Sequence, residues 1–303
     1  ARSASGKMGI HKVEGGYHGS YDPFVVSAKP PLDKAGDPEE PTPVMDSNLV
    51  PGDIYVVPYN NVPALEAMFE KNASKIACFI VEPVLENLAI ILPDAGYLER
   101  VRELCDEYNV ILIFDEVKTG LTAGAHGASV RLGVEPDLIT LAKSIGGGVP
   151  LAAFGGKKKY MDFVTNGKMA HFGTFNGNPL AMAGVRAIDR LCSDQALADA
   201  EALNQQALDR ISEIIDEYQL PAHTVGFGVK GCVTWSTTPV RNYRDYKATD
   251  FGIAEAHWLF ALNRGIITPP GLDEQWLISL AHGQTEIDLL VEDFREFAIA
   301  LRA

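Results

Sequence analysis

Residues 110–148 read VILIFDEVKTGLTAGAHGASVRLGVEPDLITLAKSIGGG. Two short apolar runs, VILIF and LITLA, break off at residues that are costly to bury: Asp115 and Glu116 after the first, Lys143 after the second. Such runs predict buried strands of an open parallel sheet, in which the ligand crevice lies outside the carboxyl ends of the strands. An acid and a lysine delivered there face the same space, so chemistry is expected at that edge.

Gly146, Gly147 and Gly148 follow Lys143 closely, which lets a ligand approach its amine. A neutral amine forms a Schiff base with a carbonyl. If that carbonyl belongs to pyridoxal phosphate, a carboxylate must keep the ring nitrogen protonated for the ring to act as an electron sink. Asp115 is the candidate. On spacing alone, a plain strand-end salt bridge between Asp115 and Lys143 stays equally open.

Upstream, Gly96–Asn109 is an amphipathic helix with Leu98, Val101, Leu104, Cys105 and Tyr108 on one stripe, and it leads directly into VILIF. KIACFIVEP predicts a further buried strand over Ile76–Val81, ending at Glu82 and Pro83. Strand, helix and strand in this succession predict a right-handed crossover. Glu82, Asp115 and Lys143 are therefore expected on one sheet edge, and three polar strand ends in a row weigh against the salt bridge alone. Pro63–Asn72 has helical spacing, with Leu65, Met68 and Phe69 on one face. Nearer the start, KVEGGYHGSYD sets Tyr17 and His18 among Gly15, Gly16 and Gly19; a ring held there can stack on a flat ligand or simply pack in a turn. Residues 28–62 are rich in Pro, Gly and Asp and predict a mobile, lid-like loop.

Downstream, Val149–Phe154 predicts another short strand and Lys157–Lys159 a solvated turn. HFGTFNGNPLAMAG exposes Thr174 on a loop before Pro179 opens a helix, whose first N–H groups suit an anion. From Ser193 onward, a long helix over Gln195–Tyr218, short strands at Ala222–Val229 and Gly231–Ser236, and helices at Asp250–Arg264 and Gln284–Leu301 predict a smaller α+β domain. The expected division is residues 1–192 and 193–303.

The chain has 303 residues, 47% of them hydrophobic, enough for a substantial core. Its net charge of -14 argues against nucleic acid or an anionic membrane as partner. Cys78, Cys105, Cys192 and Cys232 are scattered without metal-ligand spacing and read as reduced thiols of a cytoplasmic protein, with no metal expected. No apolar run approaches the roughly 20 residues of a membrane helix. Phosphate-loop, zinc-protease and serine-hydrolase motifs do not occur.

The motifs EGGYHGSYD, IVEPVLEN, ILIFDEVKTG, LITLAKSIGGGVPLAAFGG, GTFNGNPLAMAG and SLAHGQTEID, in this order and across nearly the whole chain, resemble the class III pyridoxal-phosphate-dependent aminotransferases. Within them the resemblance is to the branch around glutamate-1-semialdehyde 2,1-aminomutase. It implies an α/β fold of type I: a mostly parallel sheet with helices on both faces, a large cofactor-binding domain and a smaller C-terminal one, with the family's N-terminal part absent. It implies pyridoxal 5'-phosphate held by Lys143 as an internal aldimine, with Asp115 as partner of the pyridine nitrogen. Val117 would pack on one ring face and Tyr17, with His18 beside it, on the other. Asn87 would lie near the ring hydroxyl, and Gly173 and Thr174 on the loop that reaches the phosphate from a neighbouring subunit, hence a homodimer. Lys118 stands where the aminomutase typically carries methionine, and Phe175 and Asn176 where it carries a Leu-Ser pair. The expected activity is therefore transfer of an amino group from an amino acid or amine to a keto acid or aldehyde. Aminomutase activity is the alternative, and a non-catalytic family member a further one. Arg131, Arg241, Arg244 and Arg264 are expected to be surface or structural residues, so the substrate is not read from them.

Overall fold

The structure, a computed structural model, describes residues 1–45, 52–270 and 275–302. Six strands build the main sheet among these residues: β1 (Gly9–Val13), β2 (Ile54–Val57), β3 (Ile76–Val81), β4 (Ile111–Asp115), β5 (Leu138–Leu141) and β6 (Ala153–Gly156). Their order is β2-β1-β3-β4-β5-β6, all parallel except β6, which runs antiparallel to β5. Side chains alternate across the sheet, as strand geometry requires. Phe79, Val81, Leu112 and Phe114 enter the larger core, while Cys78, Ile80 and Ile111 pack on the opposite face with Val26 and Phe24. Burial on both faces explains why these strands are continuous apolar runs rather than alternating ones.

The helices of eight or more residues are α1 (Val62–Asn72), α2 (Tyr97–Glu107), α3 (Lys158–Thr165), α4 (Pro179–Leu191), α5 (Asp194–Glu217), α6 (Phe251–Asn263) and α7 (Gln284–Arg302). Side-chain caps start several of them: Asn61 accepts from Ala64 N, Ser193 from Ala196 N and Asp250 from Ile253 N. The stripe expected on α2 is buried at Leu98, Val101, Leu104 and Cys105. A second, antiparallel sheet of β7 (His223–Phe227), β8 (Lys230–Thr234) and β9 (Trp276–Leu277) follows α5. One apolar core runs between the two sheets, joining Ala123 and Val134 to Phe227, Val229 and Val233. At the junction Val229 N donates to Thr122 O at 2.9 Å. A Cβ on Gly228, whose φ is +60°, would lie 1.9 Å from that same oxygen, so only glycine permits the approach.

The structure differs from expectation in four places. β1 was not foreseen, because His11 and Lys12 interrupt its apolar pattern; both are fully buried, His11 stacked on Phe79 with ring centroids 4.2 Å apart. β2 lies inside the stretch 28–62 expected to be a loop, and residues 46–51 of that stretch fall outside the described ones. The part before them is tied down rather than loose. Ser27 and Val44 bond to each other, Tyr243 Oη donates to Pro30 O at 2.8 Å, and Arg244 reaches the carbonyls of Ala35 and Gly36. Lys158 opens α3 instead of lying within a turn, and pairs with Asp162 one helical turn on. The edge strand is Ala153–Gly156 rather than Val149–Phe154.

Asp137 sets the start of β5. Its buried carboxylate accepts Leu112 N at 3.0 Å and pairs with Arg102 at 3.1 Å and Lys157 at 3.0 Å. Burial opposes the charge, but these partners outweigh it and hold the carboxyl below its usual range. A depressed acid contributes stability above its unfolded value, about 3.9, and loses it as pH falls through the folded one. Asp137→Ala is therefore expected to cost about 2 kcal/mol at pH 7, chiefly from the Leu112 N–H left without an acceptor. Denaturant unfolding at pH 7 and pH 3 checks this: the gap between the two proteins should narrow at the lower pH.

Candidate active site

The polar edge lies where β3, β4 and β5 end. Register places Val81 opposite Phe114 and Asp115 opposite Thr140, so the three tips are level. Asp115 Oδ2 lies 2.8 Å from His18 Nδ1, and Oδ1 accepts Val117 N at 3.1 Å and Thr140 Oγ1 at 3.2 Å. Burial pushes Asp115 up, yet the His18, Val117 and Thr140 bonds prevail and keep it ionised below its ordinary value. Burial lowers His18 despite the opposing pull of Asp115, so the ring is neutral at neutral pH. Facing an acceptor-only carboxylate, its Nδ1 carries the proton.

Lys143 is exposed and begins the 3₁₀ turn Lys143–Gly146 directly after β5, with φ at +50°. A lysine in the left-handed region is strained, and such strain gathers at functional positions. Tyr17, 41% exposed, and the half-buried Asn87 line a cavity of about 470 Å³ with Val25, Ser27, Pro30 and Val44. Val117 is half-buried beside Asp115. Sequence reasoning thus anticipated a group that the fold brings to one edge: Asp115, Val117 and His18 together, Lys143 on the adjoining tip, and Tyr17 and Asn87 linked to Glu82. Gly173 and Thr174 are not part of it; they stand on an exposed turn in which Gly173 O accepts Asn176 N.

Glu116 also departs from its expected place. Its carboxylate turns inward to accept Ala128 N at 2.6 Å and Ser129 N at 2.9 Å, capping the short helix Gly127–Leu132. Glu82 does reach the edge. It accepts Tyr17 N, Glu86 N and Asn87 Nδ2, and burial, helped by the charge of Asp115, lifts it to about 7.

Sequence reasoning passed over Lys12, Glu86 and Lys230 beneath this edge, and marked Lys118 only as a departure from the aminomutase pattern. Lys12 is wholly buried, and burial lowers it to about 7 against the opposing charge of Glu82. Lys230 pairs with Glu86 at 2.6 Å inside the protein, where burial pushes the carboxyl up and the amine down. Lys118 Nζ donates to Glu86 O at 2.8 Å, and the charges of Lys118 and Lys143 both act on the Glu86–Lys230 pair. A lysine flanked by Ile10 and Val13 was the available signal for Lys12; nothing local marks Lys230, which meets Glu86 across 144 residues. Arg131, Arg241, Arg244 and Arg264 pair with Glu201, Asp94, Glu14 and Asp293.

Among the described residues no cluster could hold a metal ion, no helix is long and apolar enough to cross a membrane, and the four cysteines are free. The donor set fits pyridoxal phosphate: an anionic carboxylate for a ring nitrogen, a primary amine for an aldehyde, an open aromatic ring and a side-chain amide.

Residues 1–254 match the family described as Aminotransferase class-III. The chain is 36% identical over 294 residues to a glutamate-1-semialdehyde 2,1-aminomutase of Francisella philomiragia, covering 95% of this chain and 67% of that protein. An omega-transaminase from Sphaerobacter thermophilus superposes with a TM-score of 0.92 at 29% identity, over 100% of this chain and 70% of that one. A transaminase with PLP bound gives 0.86 at 27% identity, over 100% of this chain and 70% of that one. The chain therefore belongs to the class III aminotransferases, enzymes that work with pyridoxal 5'-phosphate.

Proposed function

We propose that this protein is an aminotransferase that moves an amino group from an amino acid or amine to a keto acid or aldehyde. The observation that carries the reading is an ionised Asp115 at the end of β4 with Lys143 just past the end of the adjoining β5. When bound, the cofactor's protonated ring takes up the electron pair released as the substrate carbon loses its proton. Asp115 holds that ring nitrogen protonated, and His18 keeps the carboxylate oriented through its Nδ1–H. Lys143 would hold the cofactor through its aldehyde and would move the proton at the substrate carbon as general base and acid. Tyr17 and Val117 would cover the two ring faces, and Asn87 would serve the ring hydroxyl.

Transfer between two molecules is favoured over isomerisation by Lys118. Its buried Nζ donates to Glu86 O, where the aminomutase branch typically carries methionine. The phosphate is assigned to Gly173 and Thr174 of a second copy. Their turn carries outward-facing apolar side chains: Phe172 is 93% exposed and Phe175 80%, with Leu180, 68% exposed, at the start of the following helix. A patch of this kind marks a protein interface. The four free cysteines fit a cytoplasmic setting.

With the cofactor and an amino donor, product is expected only when a keto acid or aldehyde acceptor is supplied. Efficient conversion of glutamate-1-semialdehyde without an acceptor would replace this reading with the aminomutase. Lys143→Ala should lower turnover at least about 100-fold, the loss of a positioned general base, and Asp115→Asn by a similar factor. Light scattering should report a dimer, and Phe172→Ser with Phe175→Ser should shift it toward monomer.

A further inference from the structure

Tyr17 presents an open ring from a loop that has little of its own to hold it. Gly15, Gly16 and Gly19 surround it, and Gly15 and Gly19 take positive φ values of 80° and 94°. Glycines enlarge the freedom a loop must lose on ordering. With its ring 41% exposed, Tyr17 must be oriented through its backbone.

Two buried titratable side chains grip that backbone at a single peptide unit. Gly16 O accepts Lys12 Nζ at 2.8 Å, and the N–H of Tyr17, on the same peptide, donates to Glu82 Oε1 at 3.3 Å. Lys12 donates its other two N–H bonds to Phe24 O at 2.8 Å and Val26 O at 2.7 Å, so its ammonium staples the loop to the following segment. The second oxygen of Glu82 accepts Glu86 N at 3.2 Å and Asn87 Nδ2 at 2.9 Å, tying the loop to the turn that carries Asn87. Neither Lys12 nor Glu82 lines the cavity that Tyr17 and Asn87 face; they are 0% and 2% exposed. The next residue, His18, is fixed separately on Asp115.

We infer that Lys12 and Glu82 are positioning residues, which clamp the Gly16–Tyr17 peptide from its two ends so that the Tyr17 ring is set as a platform for the cofactor ring. The clamp acts through Tyr17, and its role in catalysis rests on the reading that Tyr17 covers the cofactor. Glu82→Gln isolates it. The glutamine oxygen satisfies Glu86 N and Asn87, which leaves its NH₂ against the Tyr17 N–H, donor facing donor.

Hydrogen exchange on the cofactor-free full chain reads the clamp itself: Glu82→Gln should speed exchange of the Tyr17 amide by at least about tenfold. Pyridoxal phosphate titration reads its purpose. Glu82→Gln should weaken binding about tenfold in the natural protein but less than about twofold in a Tyr17→Leu background, since coupled residues do not add. Lys12→Met should behave likewise; should it fail to fold, Glu82→Gln decides alone. Unchanged exchange, or equal loss of affinity with and without Tyr17, would overturn the inference. If even the natural protein takes up no cofactor, the proposed function fails, and the exchange rates still decide whether the clamp exists.

Discussion

Parallel pairing of Ile76–Val81, Ile111–Asp115 and Leu138–Leu141 is the constraint on which the rest of this molecule depends. It forces three chain segments to finish at one edge, and burial on both faces leaves that edge as the place where polar side chains can emerge. Asp115 becomes an ionised carboxylate in a poorly hydrated setting because His18, Val117 and Thr140 meet it there. A shift of the β4–β5 pairing by one residue would turn Asp115 to the other face and separate it from Thr140.

Around that edge, the protein buries several titratable side chains and meets them with groups from outside their own elements. Lys12 takes three carbonyls, Glu82 draws in the Tyr17 loop, and Lys230 brings the second sheet to Glu86. Removing one partner from such a pair is costly, because the other remains buried without compensation. The smaller sheet is thereby coupled to the site by charge as well as by the shared apolar core. Arg244 and Tyr243 extend the coupling to the segment before residue 45, where a proline-rich composition alone points to mobility.

What could be read from sequence follows from the physics of each element. Ile76–Val81 and the run before Asp115 were legible because doubly buried strands are uniformly apolar, and Asp115 and Lys143 stood out as candidates because each charge follows the end of such a run. β1 was not, since His11 and Lys12 look like surface residues until Phe79 and three carbonyls are seen around them. Glu116 follows Asp115 directly, yet only the fold shows it turned away to cap a helix. Lys230 and Glu86 meet through tertiary structure, which no local pattern encodes.

Lys143, among the four lysines at or beneath this edge, is proposed as the one that takes the cofactor. Borohydride trapping of the protein loaded with pyridoxal phosphate, followed by peptide mass mapping, tests it most directly. A phosphopyridoxyl group is expected on Lys143 alone. A label on Lys118 or Lys230, or on no lysine, would contradict it.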